Sequence, residues 1–167
     1  MAKKETKEKV GDSASTKIRE VASNRKAFHD YFIDEKMEAG IVLAGTEIKS
    51  VRGGRVNLRD SFARIDDKGE LWLWNAHISP YERAGAFFQH TPTRNRKLLM
   101  HKNEIRRLAT KTQAKGLTLV PLRMYLKKGK AKVELGLARG KHNYDKRDAM
   151  AERDANREIE RTMRDRG

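Results

Sequence analysis

LTLVPLRMYL (117–126), KKGK (127–130) and AKVELGL (131–137) form the stretch on which the fold turns. Two runs of alternating apolar and polar residues flank a short polar segment that contains glycine, the pattern of a β-hairpin. In the second run Val133, Leu135 and Leu137 point one way and Lys132 and Glu134 the other, so one face is core and one is solvent. Pro121 has no N–H to give a ladder and predicts an edge or bulged position in the first run.

Working outward, residues 102–114 place Ile105, Leu108 and Ala109 at helical spacing, and Gly116 follows as a stop. Residues 79–97 read as a loop broken by Pro80, Gly85 and Pro92. Further back lies a second hairpin, Leu58 to Ile65 and Glu70 to Trp74, around the glycine-ended turn Asp66-Asp67-Lys68-Gly69. Trp72 and Trp74 alternate with Leu71 and Leu73, so the outer face is a packing layer or a stacking surface. A short helix is predicted within Ala44 to Gly54, with Thr46 as N-cap, Glu47 in the first turn and Gly53 at C′. Phe28 to Ile33 and Ile41 to Leu43 read as strands. Many short antiparallel strands with few helices predict a mainly β fold, an OB-like antiparallel β-barrel of about six strands with flanking helices. Another small α+β sheet satisfies the same periodicity. Residues 1–23 read as a disordered N-terminal arm, 24–139 as the barrel and 140–167 as a separate C-terminal tail.

The 167 residues carry a net charge of +15, and it is unevenly spread. Residues 25–91 hold ten cations and ten acids, whereas residues 92–132 hold 13 cations and the single acid Glu104. A solvated surface mixes its signs; a run this one-sided points to a polyanion, and nucleic acid is the usual one. A membrane surface would need an apolar anchor, which the sequence lacks. With no cysteine there is no disulfide framework, thiolate metal site or cysteine nucleophile. His29, His77, His90, His101 and His142 have no metal-ligand spacing, and no P-loop, dinucleotide fingerprint or nucleophile elbow is present. Neither catalysis nor a cofactor is expected. Glu38, just before Ala39-Gly40, is either a solvated acid or an acceptor for a base amino group. In the tail, Ala151, Ala155, Ile159 and Met163 recur every fourth residue, as do Arg153, Arg157 and Arg161. The apolar stripe is too weak to order a free helix, so the tail is expected to be unstructured alone and helical on a partner.

Several strings in order resemble one family. They include Asn24-Arg25-Lys26-Ala27, Glu38-Ala39-Gly40-Ile41, Gly45-Thr46-Glu47-Ile48-Lys49-Ser50-Val51-Arg52 and Asn57-Leu58-Arg59-Asp60-Ser61-Phe62. His77-Ile78-Ser79-Pro80-Tyr81, Thr93-Arg94-Asn95-Arg96-Lys97-Leu98-Leu99 and Gly140-Lys141 with Tyr144-Asp145-Lys146-Arg147 continue them. From Asn24 to Arg147 the chain resembles the SmpB family of bacterial SsrA-binding proteins. The resemblance implies an OB-like barrel that binds the tRNA-like domain of transfer-messenger RNA. It further implies delivery to stalled ribosomes for trans-translation, with EF-Tu carrying the alanyl-charged RNA. The tail would become helical near the small-subunit decoding region. By this resemblance Asn24, Glu38, Leu99 and Lys132 contact or support the RNA, with Gly40 beside them. Arg52, Arg94, Arg96 and Lys97 join the set on charge and location. Gly140, Lys141, Tyr144, Asp145, Lys146 and Arg147 match the ribosome-engaging tail. Tyr144 stands where the family often has His, which keeps a stacking ring but loses a titratable nitrogen. A cytoplasmic monomer with no membrane contact is expected. A generic basic OB-type ribosomal or translation-factor-like protein is the alternative.

Overall fold

The computed structural model describes residues 17–165. The deciding hairpin is present. Two long strands, Thr118–Lys127 and Lys130–Gly140, pair antiparallel from Lys127 opposite Lys130 to Thr118 opposite Ala138. The turn narrows to Lys128 and Gly129, at φ 52° and 75°. Two successive left-handed residues are what a two-residue turn needs to follow strand twist, and glycine takes the second without strain.

In chain order the strands are β1 (Ile18–Ser23), β2 (Tyr31–Ile41), β3 (Val56–Asn57), β4 (Phe62–Ile65), β5 (Leu71–Trp74), β6 (His77–Ile78), β7 (Arg96–Leu99), β8 (Thr118–Lys127) and β9 (Lys130–Gly140). Six of them close a ring in the order β8-β4-β5-β7-β2-β9, with β9 returning to β8. This is the OB-like arrangement expected from the hairpins. β1 adds to the free edge of β8, and β3 pairs with β6 apart from the ring. The helices are α1 (Arg25–Asp30), α2 (Gly45–Arg52), α3 (Lys102–Lys115) and α4 (Asn143–Asp165). Inside the ring, Leu71, Leu73, Leu98, Leu119, Met124, Val133, Leu135 and Leu137 are buried, joined by Ile105 and Leu108 of α3. Gly116 ends α3 at φ 61°. On the outer face of β5, Trp74 stacks on Phe62 at 6.2 Å while staying 36% exposed, and Trp72 donates from its indole N–H to Asp66.

Several local readings are corrected. Residues 28–30 are helix, not strand, because Asn24 caps α1: its Oδ1 accepts the Ala27 N–H at 3.2 Å. The strand then runs unbroken from Tyr31 to Ile41, and Val42 and Leu43 lie beyond it. In α2 the N-cap is Ala44 rather than Thr46, with the Glu47 carboxylate accepting the Ala44 N–H at 2.8 Å. Gly53 keeps φ −77° and Gly54 takes the left-handed place. The loop from residue 79 stops at Asn95, since Arg96 opens β7. Of the arm expected over residues 1–23, Ile18–Ser23 is a strand paired with β8, and residues 1–16 lie outside the described residues. That strand has little alternation of its own, and its order comes from an edge supplied about a hundred residues away.

Pro121 sits where the register shifts between itself and Arg123, the bulge its missing N–H requires. Here β8 passes from β4, at Leu119, to β1, at Arg123. Asn24 fills the gap. Its Nδ2 donates to the carbonyls of Pro121 (2.9 Å) and Leu58 (3.0 Å), and its N–H donates to that of Leu122 (2.7 Å). Asn24→Ala removes a cap and orphans buried carbonyls, so it is expected to destabilise the fold by about 2–3 kcal/mol, read as a lower urea midpoint at unchanged m.

Candidate nucleic-acid interface

The outward faces of β2, β7 and β9 meet at one place. Gly40 of β2 lies opposite Lys132 of β9 on one side and opposite Leu99 of β7 on the other. Glu38, two residues back along the same face, pairs with Glu134. Glu38, Gly40, Leu99 and Lys132 thus line one cleft of about 470 Å³, completed by Met100, His101 and Glu104. A Cβ on Gly40 would stand 3.3 Å from the Leu99 Cβ, so glycine lets the leucine lie across the strand. Leu99 remains 52% exposed, an apolar side chain offered to solvent in the same cleft as Glu38 and Lys132.

The Glu38 carboxylate is held in place. Tyr125 of β8 donates its hydroxyl to Oε2, and Lys127 Nζ lies 3.5 Å from the same oxygen. The Tyr125 hydrogen bond holds the carboxyl below the usual range; burial opposes this, and the Lys127 and Lys132 charges assist it. Burial, followed by its bond to Glu38, raises the Tyr125 phenol above its ordinary value, so it remains a donor. Arg123 binds Glu134 through Nε (3.1 Å) and Nη2 (3.2 Å) and lies 5.2 Å from the centre of the Tyr125 ring, fixing the phenol from behind. The result is an oriented acceptor beside an ammonium and an apolar side chain. This combination suits the amino edge, phosphate and face of a nucleotide in RNA.

Other site expectations fare differently. Arg96 is fully buried: it donates to Glu47 Oε1 at 2.8 Å and to the carbonyls of Ala76, Pro92 and Arg94. It cannot reach RNA, which corrects its assignment as a contact. Arg94 also binds Glu47, with its Nε 2.8 Å from Oε1, and is mostly committed there. Asn24 is buried and acts through the fold. Lys97 pairs with Glu70 at 2.7 Å, and Arg52 is exposed on α2 and does not line the cleft. At the far end of β9, Gly140 leads into the tail. Lys141 donates from its N–H to the Asp30 carbonyl (2.9 Å), and Lys146 pairs with Asp30 at 3.5 Å. Tyr144 is exposed and stacks on His142, Asp145 Oδ2 accepts the His142 N–H, and Arg147 is exposed. The cleft and the tail root are therefore separate places.

Space also redistributes the charge. Arg94, Arg96, Lys97, Arg107, Lys111, Arg123 and Lys127 all belong to the basic stretch, and each faces an acid from outside it: Glu47, Glu70, Glu35, Glu134 or Glu38. Sequence reasoning missed Tyr125, Arg123 and Lys127 as parts of the site. The signal was there in their outward places between Leu122, Met124 and Leu126. Among the described residues no group of three His, Asp or Glu is placed to hold a metal, and no helix is long and apolar enough to cross a membrane.

The family model described as "SmpB protein" matches residues 21–165. The SsrA-binding protein of Desulfitobacterium hafniense is 60% identical over 154 residues, covering 92% of this chain and 97% of that one. That of Carboxydothermus hydrogenoformans is 67% identical over 144 residues, covering 86% and 95%. A solved structure described as "tmRNA-SmpB: a journey to the center of the bacterial ribosome" superposes with a TM-score of 0.62 at 53% identity, over 77% of this chain and 93% of the other.

Proposed function

The chain belongs to the SmpB family, and from that premise we propose how its two surfaces share the family's work. It is an RNA-binding protein that binds transfer-messenger RNA (SsrA) and acts with it on the ribosome in trans-translation. The cleft of Glu38, Gly40, Leu99 and Lys132 holds the tRNA-like domain, and the tail from Gly140 onward engages the small-subunit decoding region. The observation that carries the first assignment is the fixed Glu38 carboxylate with Lys132 and Leu99 beside it. The second rests on Tyr144 and Arg147 being exposed at the root of a helix that buries nothing of its own. The tail orders fully when a partner covers it, since an unpacked helix of mixed charge is marginal in water. EF-Tu enters through the alanyl-charged RNA. The protein works by binding rather than catalysis, as a monomer in the cytoplasm.

A competition titration at fixed salt tests the first surface. The chain prefers transfer-messenger RNA to bulk tRNA. Lys132→Ala or Glu38→Ala weakens that binding by about 5- to 30-fold, the value of one well-made contact. Tyr125→Phe weakens it less, because the carboxylate stays but loses its fixed orientation. Equal affinity for both RNAs would favour a generic RNA-binding role instead.

A further inference from the structure

Residues 79–95 leave the ring, yet the turn within them is braced. Gln89 donates from Nε2 to the carbonyls of Tyr81 (2.6 Å) and Ala84 (3.0 Å), and its Oε1 accepts the Tyr81 N–H at 3.1 Å. His90 bridges Thr46 Oγ1 and the Ile78 carbonyl, each at 2.9 Å, and ties the turn to α2 and β6. A single 3-10 turn, Ala86–Phe88, tops this base, with the Phe88 N–H donating to the Gly85 carbonyl at 2.9 Å. Phe87 is 99% exposed and Phe88 77%. Two adjacent aromatic rings stand in water on a hydrogen-bonded base.

The surface beside them is cationic. Lys49 lies 5.3 Å from the centre of the Tyr81 ring, at the foot of the turn, and Arg55 pairs with Glu82 at 2.8 Å. Lys49, Arg52, Arg55 and Arg83 are all exposed. Glu82 is the sole acid of residues 79–95 and is engaged by Arg55; Glu47, the acid of α2, is buried under Arg94 and Arg96. The stretch 25–91 is neutral in sum, but folding draws several of its acids toward α3, β7 and β8 and leaves these cations together.

We propose that the Phe87–Phe88 tip, with Lys49, Arg52 and Arg83, is a second RNA contact that stacks on an unpaired base. Bare rings beside exposed cations match a nucleotide, which offers a π-face and a phosphate together. A protein pocket would match the rings but not the charge around them. The inference rests on the chain's RNA-binding role and uses none of the cleft residues.

The test uses the full chain with both phenylalanines replaced, measured against transfer-messenger RNA and, separately, against ribosomes. Phe87→Ala with Phe88→Ala weakens binding in one of the two arms by about tenfold, and that arm identifies the RNA. Phe87→Tyr with Phe88→Tyr restores it, whereas Phe87→Leu with Phe88→Leu does not. Lys49→Ala with Arg83→Ala flattens the dependence of log K on log salt in the same arm by roughly 0.7–0.9 for each phosphate no longer neutralised. Unchanged affinity of the alanine variant in both arms overturns the proposal. Rescue by leucine as complete as by tyrosine also overturns it, because an apolar pocket and not a stacked base would then be the partner. Failure of the unaltered chain to bind transfer-messenger RNA would bring down the functional reading, and this one with it.

Discussion

A chain ending at Gly140 binds transfer-messenger RNA like the full chain and tags nothing on stalled ribosomes. The first half of this expectation follows from how little the tail contributes to the body. No residue of α4 is buried, and the ties at its root are the Lys141 bonds to the Asp30 and Phe28 carbonyls and the Lys146–Asp30 pair. All are surface interactions, so RNA affinity stays within about twofold and the urea midpoint barely moves. The cleft lies toward the other end of β9, with Lys132 eight positions before Gly140. The second half follows from what the truncation removes: the stacked His142–Tyr144 pair, Arg147, and the stripe of Arg153, Arg157 and Arg161. Tagging in a reconstituted translation system, alongside an RNA binding isotherm, measures both. Loss of RNA binding on truncation, with tagging unaffected by the cleft variants, would reverse the assignment of the two surfaces.

Glu47→Gln unfolds much of the population under conditions that leave the native chain intact. Glu47 is completely buried and holds two guanidiniums. Burial disfavours its charged form, but hydrogen bonds from Arg94 and the Ala44 N–H, with the Arg96 charge, outweigh that, and its carboxyl sits below the usual range. Arg96 is equally buried, and burial lowers its own pKa while Glu47 opposes the shift. Arg94 can relax into solvent when the carboxylate is removed; Arg96 cannot. Leaving a buried cation without its counter-ion costs about 3–5 kcal/mol, a large part of the stability of a small domain. The pH dependence carries the same signature. Because the folded-state pKa of Glu47 is depressed, its contribution is complete above the unfolded-state value and is lost as pH falls through the folded one. Urea midpoints between neutral pH and the acid range should therefore fall for the native chain and fall less for Glu47→Gln. Parallel acid limbs would show that this carboxylate does not carry the effect.

Glu47 and Arg96 also show where sequence reasoning stops. A glutamate in the first turn of a helix and an arginine inside a basic run both have ordinary surface explanations, and nothing in their neighbours along the chain pairs them. They meet because β7 passes beneath α2, 49 positions later. The same holds for Phe28 to Ile33, an aromatic-rich run that suggests one strand: Asn24 caps α1 and keeps Phe28 to Asp30 helical, and Tyr31 to Ile33 alone join β2. It holds again for β1, which is a strand only because β8 leaves an edge open.

What the chain determined alone was whatever depends on neighbours a few residues apart. Alternation around Lys128-Gly129 set the hairpin and its inner and outer faces. Helical spacing up to Gly116 set α3, and the ordered family strings from Asn24 to Arg147 pointed to the partner. The tertiary structure decided what depends on closure of the ring. It collected Glu38, Gly40, Leu99 and Lys132 from three strands into one cleft, with Tyr125 from a fourth to orient the carboxylate. It also decided which positive charges remain to meet RNA. Charge density along a sequence is summed over neighbours in the chain, but the field that an RNA meets is summed over neighbours in space. Closing the ring carried Glu35, Glu38, Glu47 and Glu70 onto cations of residues 92–132 and left other cations bare.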